Sequence, residues 1–248
     1  MQLYDRLYGL VRSLRMYYGD PAHRRRSRAF YRGLVRPGDL CFDIGAHVGN
    51  RSRCWSKLGA RVVAVEPQPD FVRFLRWLFR GDPNVTVVDE AIAAAPGRLT
   101  LHISRRTPTV STGSATFIAE TRRAESFAWV NWDARHEVTA TTLDRLIQVH
   151  GRPDFVKIDV EGMEHEVLRG LSQPLPCLSF EFIPSSLDSA LGSIDRLESL
   201  GRYRYNLALG EGLTFVHEDW IDADSVRRWL SARDPNGDSG DVYARLEA

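Results

Sequence analysis

Residues 43–50, Asp-Ile-Gly-Ala-His-Val-Gly-Asn, lead from an apolar run through two glycines. A strand-to-helix turn of this kind lets the backbone approach a phosphate, a dinucleotide or a sulfonium cofactor, and the neighbouring residues discriminate among them. A Walker loop needs Gly-Lys-Ser/Thr, which this stretch lacks. A dinucleotide fingerprint needs GxGxxG, whereas Gly45 and Gly49 form GxxxG, with His47 where the second glycine would meet pyrophosphate. Asp43 at the strand tip would repel pyrophosphate but can accept hydrogen bonds from the ammonium end of S-adenosylmethionine (SAM). Gly45, Ala46, Gly49 and Asn50 are the expected backbone contacts around that end.

Two more acids extend the pattern. Glu66-Pro67 closes the next apolar run, where a carboxylate suits a ribose diol, a feature shared with NAD enzymes. Asp89-Glu90-Ala91 closes the one after, where Glu90 and Ala91 can meet adenine. Acids at three successive strand ends favour SAM over NAD. An NAD-dependent oxidoreductase using Glu66 is the alternative from another class. A catalytically silent binding module is a third reading, against which Asp43, Glu66 and Asp159 all speak.

These residues need a frame. Strands are expected at 40–44, 61–67, 85–92, 155–160 and 177–183, alternating with helices at 49–58, 71–79, from about 162 to 169, and near 187–200. Such alternation predicts an α/β fold, a doubly wound parallel sheet of Rossmann type. An added strand is expected at 97–104 and a terminal hairpin from 203–209 and 213–219 across Gly210–Gly212. Residues 3–18 place Leu3, Leu7, Val11, Leu14 and Tyr18 at helical spacing, and a second helix is expected at 23–35. Residues 105–137 read as a long lid loop carrying Phe127, Trp129 and Trp132, able to stack on a ligand or to pack as satellite core. The chain thus divides into an N-terminal helical segment, 1–36, and a catalytic domain, 37–248.

The stretches DIGAHVGN, VVAVEPQPD, TTLDRL and, above all, PDFVKIDVEGMEHEVLRG resemble the FkbM family of SAM-dependent methyltransferases over roughly residues 33–200. The resemblance implies the seven-stranded class I methyltransferase sheet and O-methylation of a hydroxyl on a sugar, glycoside, glycolipid or polyketide. Position 47 is often asparagine in that family and is histidine here.

In such a sheet the ligand sits above the carboxyl ends of the strands, at the switch point between the first and fourth. Asp159 is at the tip of the fourth strand, Glu161 on the following turn and Glu181 near the tip of the fifth. Asp159, Glu181 and Glu161 are therefore the candidate catalytic residues. Asp159 and Glu181, if they converge, can also bind Mg²⁺, which would orient an acceptor oxygen and lower its pKa. Lys157 shares strand parity with Asp159 and can pair with it. His136 and His165 are weaker candidates for a base, and His217 is expected to point away from the ligand face. An Asn/Asp-Pro-Pro-aromatic turn for amine methylation is absent after the fourth strand, where Asp-Val-Glu-Gly stands. A ribose 2′-O-methylating tetrad needs two suitably placed lysines, and the chain has only Lys57 and Lys157.

The net charge of +1 hides an asymmetry, because nine Arg against Asp5, Asp20 and Asp39 give residues 1–39 a charge of +6 and leave −5 for the remainder. The run His23-Arg24-Arg25-Arg26-Ser27-Arg28 is a solvated helix face or a peripheral contact with an anionic surface. Nothing else in the chain favours nucleic acid. Cys41, Cys54 and Cys177 form no CxxC pair and read as buried free thiols of a reducing compartment. No stretch is apolar enough to span a membrane, so a cytoplasmic location is expected, and the family resemblance implies a small-molecule or oligosaccharide acceptor. The N-terminal helices could also form a homodimer contact.

Overall fold

A parallel strand covered by helices on both sides must be apolar along its whole length, and Leu40–Ile44 satisfies this. The computed structural model describes residues 2–122 and 127–247. In it β1 (Leu40–Ile44) is buried at every position and pairs parallel with β2 (Arg61–Val65) and β7 (Phe155–Ile158). β3 (Val85–Val88) flanks β2, and β8 (Cys177–Phe182) flanks β7, both parallel. β10 (Gly240–Leu246) runs antiparallel between β8 and β9 (Tyr203–Leu209). The seven strands follow the order β3-β2-β1-β7-β8-β10-β9, so the expected doubly wound sheet is present with its switch point between β1 and β7.

Strand parity divides the core. Leu40, Phe42 and Ile44 face one cluster, built with α6 (Leu143–His150), α7 (Glu164–Arg169), α8 (Asp188–Leu200) and α9 (Ala223–Ser231). Cys41 and Phe155 face the other, where Tyr31 of α2 (Pro21–Tyr31) packs on Trp55 of α3 (Asn50–Lys57). α4 (Pro69–Leu78) buries Phe71, Val72 and Leu75, three positions of one helical face. All three cysteines are free and buried.

The structure corrects four expectations. The run 85–92 is not one strand: β3 stops at Val88, where it pairs with β2, and Ala91–Ile92 is β4 of a second sheet, with Asp89 between them exposed and paired with Arg76 at 2.9 Å. The 105–137 segment is not a bare loop. It contains a 3₁₀ turn at Pro108–Val110, α5 (Ala115–Thr121) and the start of β6 (Ala134–Thr141). Residues 123–126 of that segment lie outside the described residues. β6 joins β4 and β5 (Gly97–Ile103) in a three-stranded sheet beside the main one.

The terminal hairpin is the third correction. Residues 213–219 lie along β9 without forming a ladder, because Asn206 spends both ends of its side chain on the His217 backbone, at 2.8 and 3.1 Å. The partner of β9 is β10, in the unassigned stretch 240–246.

The fourth concerns α1 (Gln2–Tyr18). Leu7 and Val11 of its expected packing stripe are more than half exposed, and the buried face carries Gly9 and Ser13 instead. A Cβ on Gly9 would sit 2.2 Å from the Arg105 carbonyl oxygen and 2.9 Å from Pro108 Cδ. The missing side chain is what lets α1 lie against the insertion.

Candidate active site

The carboxyl ends of β1, β2 and β7 open into a cavity of about 160 Å³, closed on the far side by Leu99 and Leu101 of β5 and by Ser111 and Gly113 of the insertion. The glycine turn forms its floor. Gly45 takes a φ of +85°, and a Cβ there would stand 1.9 Å from the Asp159 carbonyl oxygen, so only glycine lets the β1 and β7 tips come this close. The Gly45 and Ala46 amides both donate to the Val65 carbonyl at 2.9 Å, fixing the turn to the end of β2.

Glu66 is held from the same side. Its Oε2 accepts from the His47 amide and its Oε1 from the Gln68 amide, each at 2.8 Å. Burial pushes its carboxyl up to about 7, although these two bonds pull the other way. Each oxygen retains a free lone pair, which is what a diol donating two hydrogen bonds requires. His47 adopts a left-handed φ of 49° and packs against Phe71 with ring centres 4.2 Å apart. Burial lowers its pKa to about 3, so the ring is neutral.

Of the residues expected to bind cofactor, Gly45, Glu66, Pro67, Glu90 and Ala91 line this cavity, while Asp43, Ala46, Gly49 and Asn50 do not. Asp43 has the parity of Cys41 and points beneath α3. Its Oδ2 accepts from the Ser52 amide at 2.9 Å and the Ser52 hydroxyl at 2.5 Å. That bond ties β1 to the first turn of α3. Ala46 packs with Leu75 and Phe79, Gly49 lies against the same two side chains, and Asn50 faces a neighbouring cavity.

The three candidate catalytic carboxylates converge. Asp159, Glu161 and Glu181 all line the cavity, and each offers an oxygen within 4.8 Å of the others. Glu181 Oε2 is buried with no hydrogen-bond partner. Burial and then the neighbouring carboxylates push the pKa values of Glu161 and Glu181 well above the usual range, Asp159 and Glu164 acting on the former, Glu161 and Asp159 on the latter. Glu161 also sits at a left-handed φ of 55°, with its carbonyl held by the Thr112 hydroxyl at 2.6 Å. Lys157 is buried 3.1 Å from Asp159 and 2.7 Å from Asp241 of β10. Burial alone would lower its pKa, but these two acids raise it well above the ordinary value, so Lys157 stays charged beside Asp159. Three facing carboxylates repel one another, and Lys157 neutralises only one of them while also pairing with Asp241, so a proton or a further cation would relieve the rest. An oxygen-only donor set of this size suits a hard divalent cation.

Some wall residues have no legible code. Tyr17 reaches the cavity from α1, and Glu211 from the turn after β9, where it also accepts from Arg51 at 2.7 Å. Gln68 and Phe71 belong to the start of α4, and Met163 precedes α7. The aromatics of the insertion do not line the cavity: Phe127 packs on Phe117, Trp132 donates to the Val110 carbonyl at 2.9 Å, and Trp129 lies exposed beneath Arg12. His136 is exposed on β6, His165 packs against Gly192 of α8, and His217 lies beside Trp229, so none of the three lines the cavity.

A family model described as the methyltransferase FkbM domain matches residues 43–234, most of the chain. The chain belongs to the FkbM methyltransferase family. Membership removes the oxidoreductase alternative and supports SAM as the cofactor of this FkbM fold. A curated relative, the hexuronic acid methyltransferase AglP of Haloferax volcanii, is 28% identical over 146 residues, covering 58% of this chain and 55% of its own length. The FkbM chain therefore spans about half the length of that relative. Among solved structures, a putative O-methyltransferase from Klebsiella pneumoniae superposes with a TM-score of 0.48 at 10% identity, over 96% of this chain and 90% of its own. An O-methyltransferase from Bacillus cereus in complex with SAH does so with a TM-score of 0.46 at 14% identity, over the same shares. No helix among the described residues is long and apolar enough to cross a membrane.

Proposed function

We propose that this FkbM methyltransferase transfers the methyl group of SAM to a hydroxyl of a sugar, glycoside or glycolipid, assisted by a divalent cation such as Mg²⁺. The observation that carries this reading is one cavity in which Glu66 and Glu90 share the wall with Asp159, Glu161 and Glu181. The first pair suits the ribose and adenine of the cofactor, and the trio suits an acceptor hydroxyl. A hydroxyl of a polyketide-type metabolite is the alternative acceptor. The sugar is favoured because the curated relative is named for a hexuronic acid.

The sulfonium methyl needs little activation, so most of the rate comes from holding the acceptor oxygen in line with it. The remaining task is removal of the hydroxyl proton. Asp159 lies 3.1 Å from the Lys157 ammonium, whereas burial and the neighbouring carboxylates raise the pKa values of Glu161 and Glu181, which favours their taking up a proton. Bound between these carboxylates, Mg²⁺ would orient the acceptor oxygen and lower its pKa.

Calorimetric titration with S-adenosylhomocysteine (SAH) and with NAD tests the cofactor, and methyl transfer to uronic acids and uronides, with Mg²⁺ or with EDTA, tests the acceptor and the metal. SAH binding alone, followed by EDTA-sensitive turnover that Glu181→Gln abolishes, is the expected result. Turnover indifferent to EDTA would leave the carboxylates as direct bases and remove the cation. Failure to bind SAH would overturn the whole reading.

A further inference from the structure

A second cavity lies beside the first, between α2 and the start of α3, and at about 370 Å³ it is the roomier of the two. Arg24, Arg25 and Arg28 line it from α2, and Arg53 lines it from α3. Among the described residues none of these four guanidinium groups forms an ion pair, although Arg26 on the next helical position reaches Asp20 at 3.5 Å. Arg51 lies on the same wall, only 8% exposed, with Nε buried and unpartnered. The nearby acid is Glu211, already shared between Arg51 at 2.7 Å and His23 at 3.7 Å. Arg53 is further held over the Tyr18 ring, 5.6 Å from its centre. The start of α3 adds partial positive charge of the same sign, since Asn50 is on the wall and Gly49 offers no side-chain cap.

Like charges gathered around a concave space repel one another and are relieved by an anion. A single carboxylate would neutralise one of four. A phosphate or diphosphate brings two or more charges and presents oxygens in the spacing that guanidinium forks match. We propose that this cavity binds a phosphate or diphosphate ester. Tyr17 belongs to the walls of both cavities, and Arg51 bonds a residue of the first from within the second. A phosphorylated acceptor could therefore be anchored here while its hydroxyl enters the first cavity. That corollary rests on the methyltransferase reading of the first cavity, whereas the phosphate site itself does not.

Soluble phosphate esters and phospholipid headgroups share this chemistry. Calorimetric titration of the full chain with inorganic pyrophosphate, without cofactor and at two salt concentrations, tests the site. Arg24 and Arg28 are exposed, so the double variant Arg24→Glu/Arg28→Glu should fold normally, checked by thermal melting. The expected result is saturable binding, weakened by salt and at least about tenfold weaker in the variant. SAH affinity should be unchanged, because neither arginine lines the first cavity. Absence of pyrophosphate binding, or equal binding by both proteins, would overturn the proposal. Vesicles of phosphatidylcholine with phosphatidic acid distinguish the sources: displacement of bound pyrophosphate assigns a headgroup, and binding without displacement assigns a soluble ester. Loss of SAH binding with intact pyrophosphate binding would count against the methyltransferase reading alone.

Discussion

Glu66 should make cofactor binding depend on pH. Its carboxyl titrates near 7 in the empty protein because burial disfavours the charge, and a ribose diol is accepted best by the ionised form. SAH affinity is therefore expected to rise about tenfold between pH 6 and pH 8, and Glu66→Gln to flatten that slope, as calorimetry at several pH values would read. Stability runs the other way. The folded-state pKa lies above the ordinary value of about 4.3, so this group's contribution is fully present below that value and is lost as pH rises through about 7. Glu161 and Glu181, also raised, act with the same sign. Thermal melting across this range should show the empty protein weakening, with a smaller change in Glu66→Gln. A different residue tests the floor. Gly45→Ala would force a Cβ into the Asp159 carbonyl at a left-handed φ, and should cost at least about 2 kcal/mol in urea unfolding while displacing Asp159.

At the scale of elements, α1 is part of the cavity wall rather than an appendage, because Tyr17 lines the cavity and Gly9 seats the helix on Arg105 and Pro108. Gly9→Val should lift α1 away and weaken SAH binding several-fold in calorimetry, with little loss of global stability in urea unfolding, since the main core does not include α1. This contact was not legible in the sequence. The apolar spacing of α1 pointed to Leu7 and Val11, which remain exposed, while close approach depended on an absent side chain. The parallel strands of the main sheet were legible because strands buried on both faces must be continuously apolar, whereas the antiparallel β10 was not assigned. β6 was not, since Ala134–Glu137 lie largely exposed on a small sheet. The strand-end acids Glu66, Asp159 and Glu181 were readable from position alone. The turn of Asp43 toward Ser52 was not, because strand parity assigns a face but not the helix that meets it. Glu211 was hidden in what resembled a hairpin tip.

For the whole molecule, the family match and the folding unit do not coincide. The matched residues 43–234 omit Leu40–Phe42 of β1 and all of β10, which separates β8 from β9. A fragment cut at those limits should fail to give a cooperative urea transition, whereas residues 37–248 should retain one. The same fragment would lose Asp241 and leave Lys157 and Asp159 without their third member.

β10 also imposes an order on biosynthesis. The ribosome makes β8 and β9 first, and some thirty residues, 210–239, emerge before the strand that must slide between them. During that interval neither has the partner that β10 supplies, and their direct pairing would be a wrong but available register. Lys157 has no second carboxylate until β10 arrives, so the carboxylates of the cavity acquire this part of their electrostatic setting only once that strand is in place. Slow translation through 210–239, or a holdase at the nascent chain, should therefore alter the yield of active protein more than the same intervention anywhere upstream.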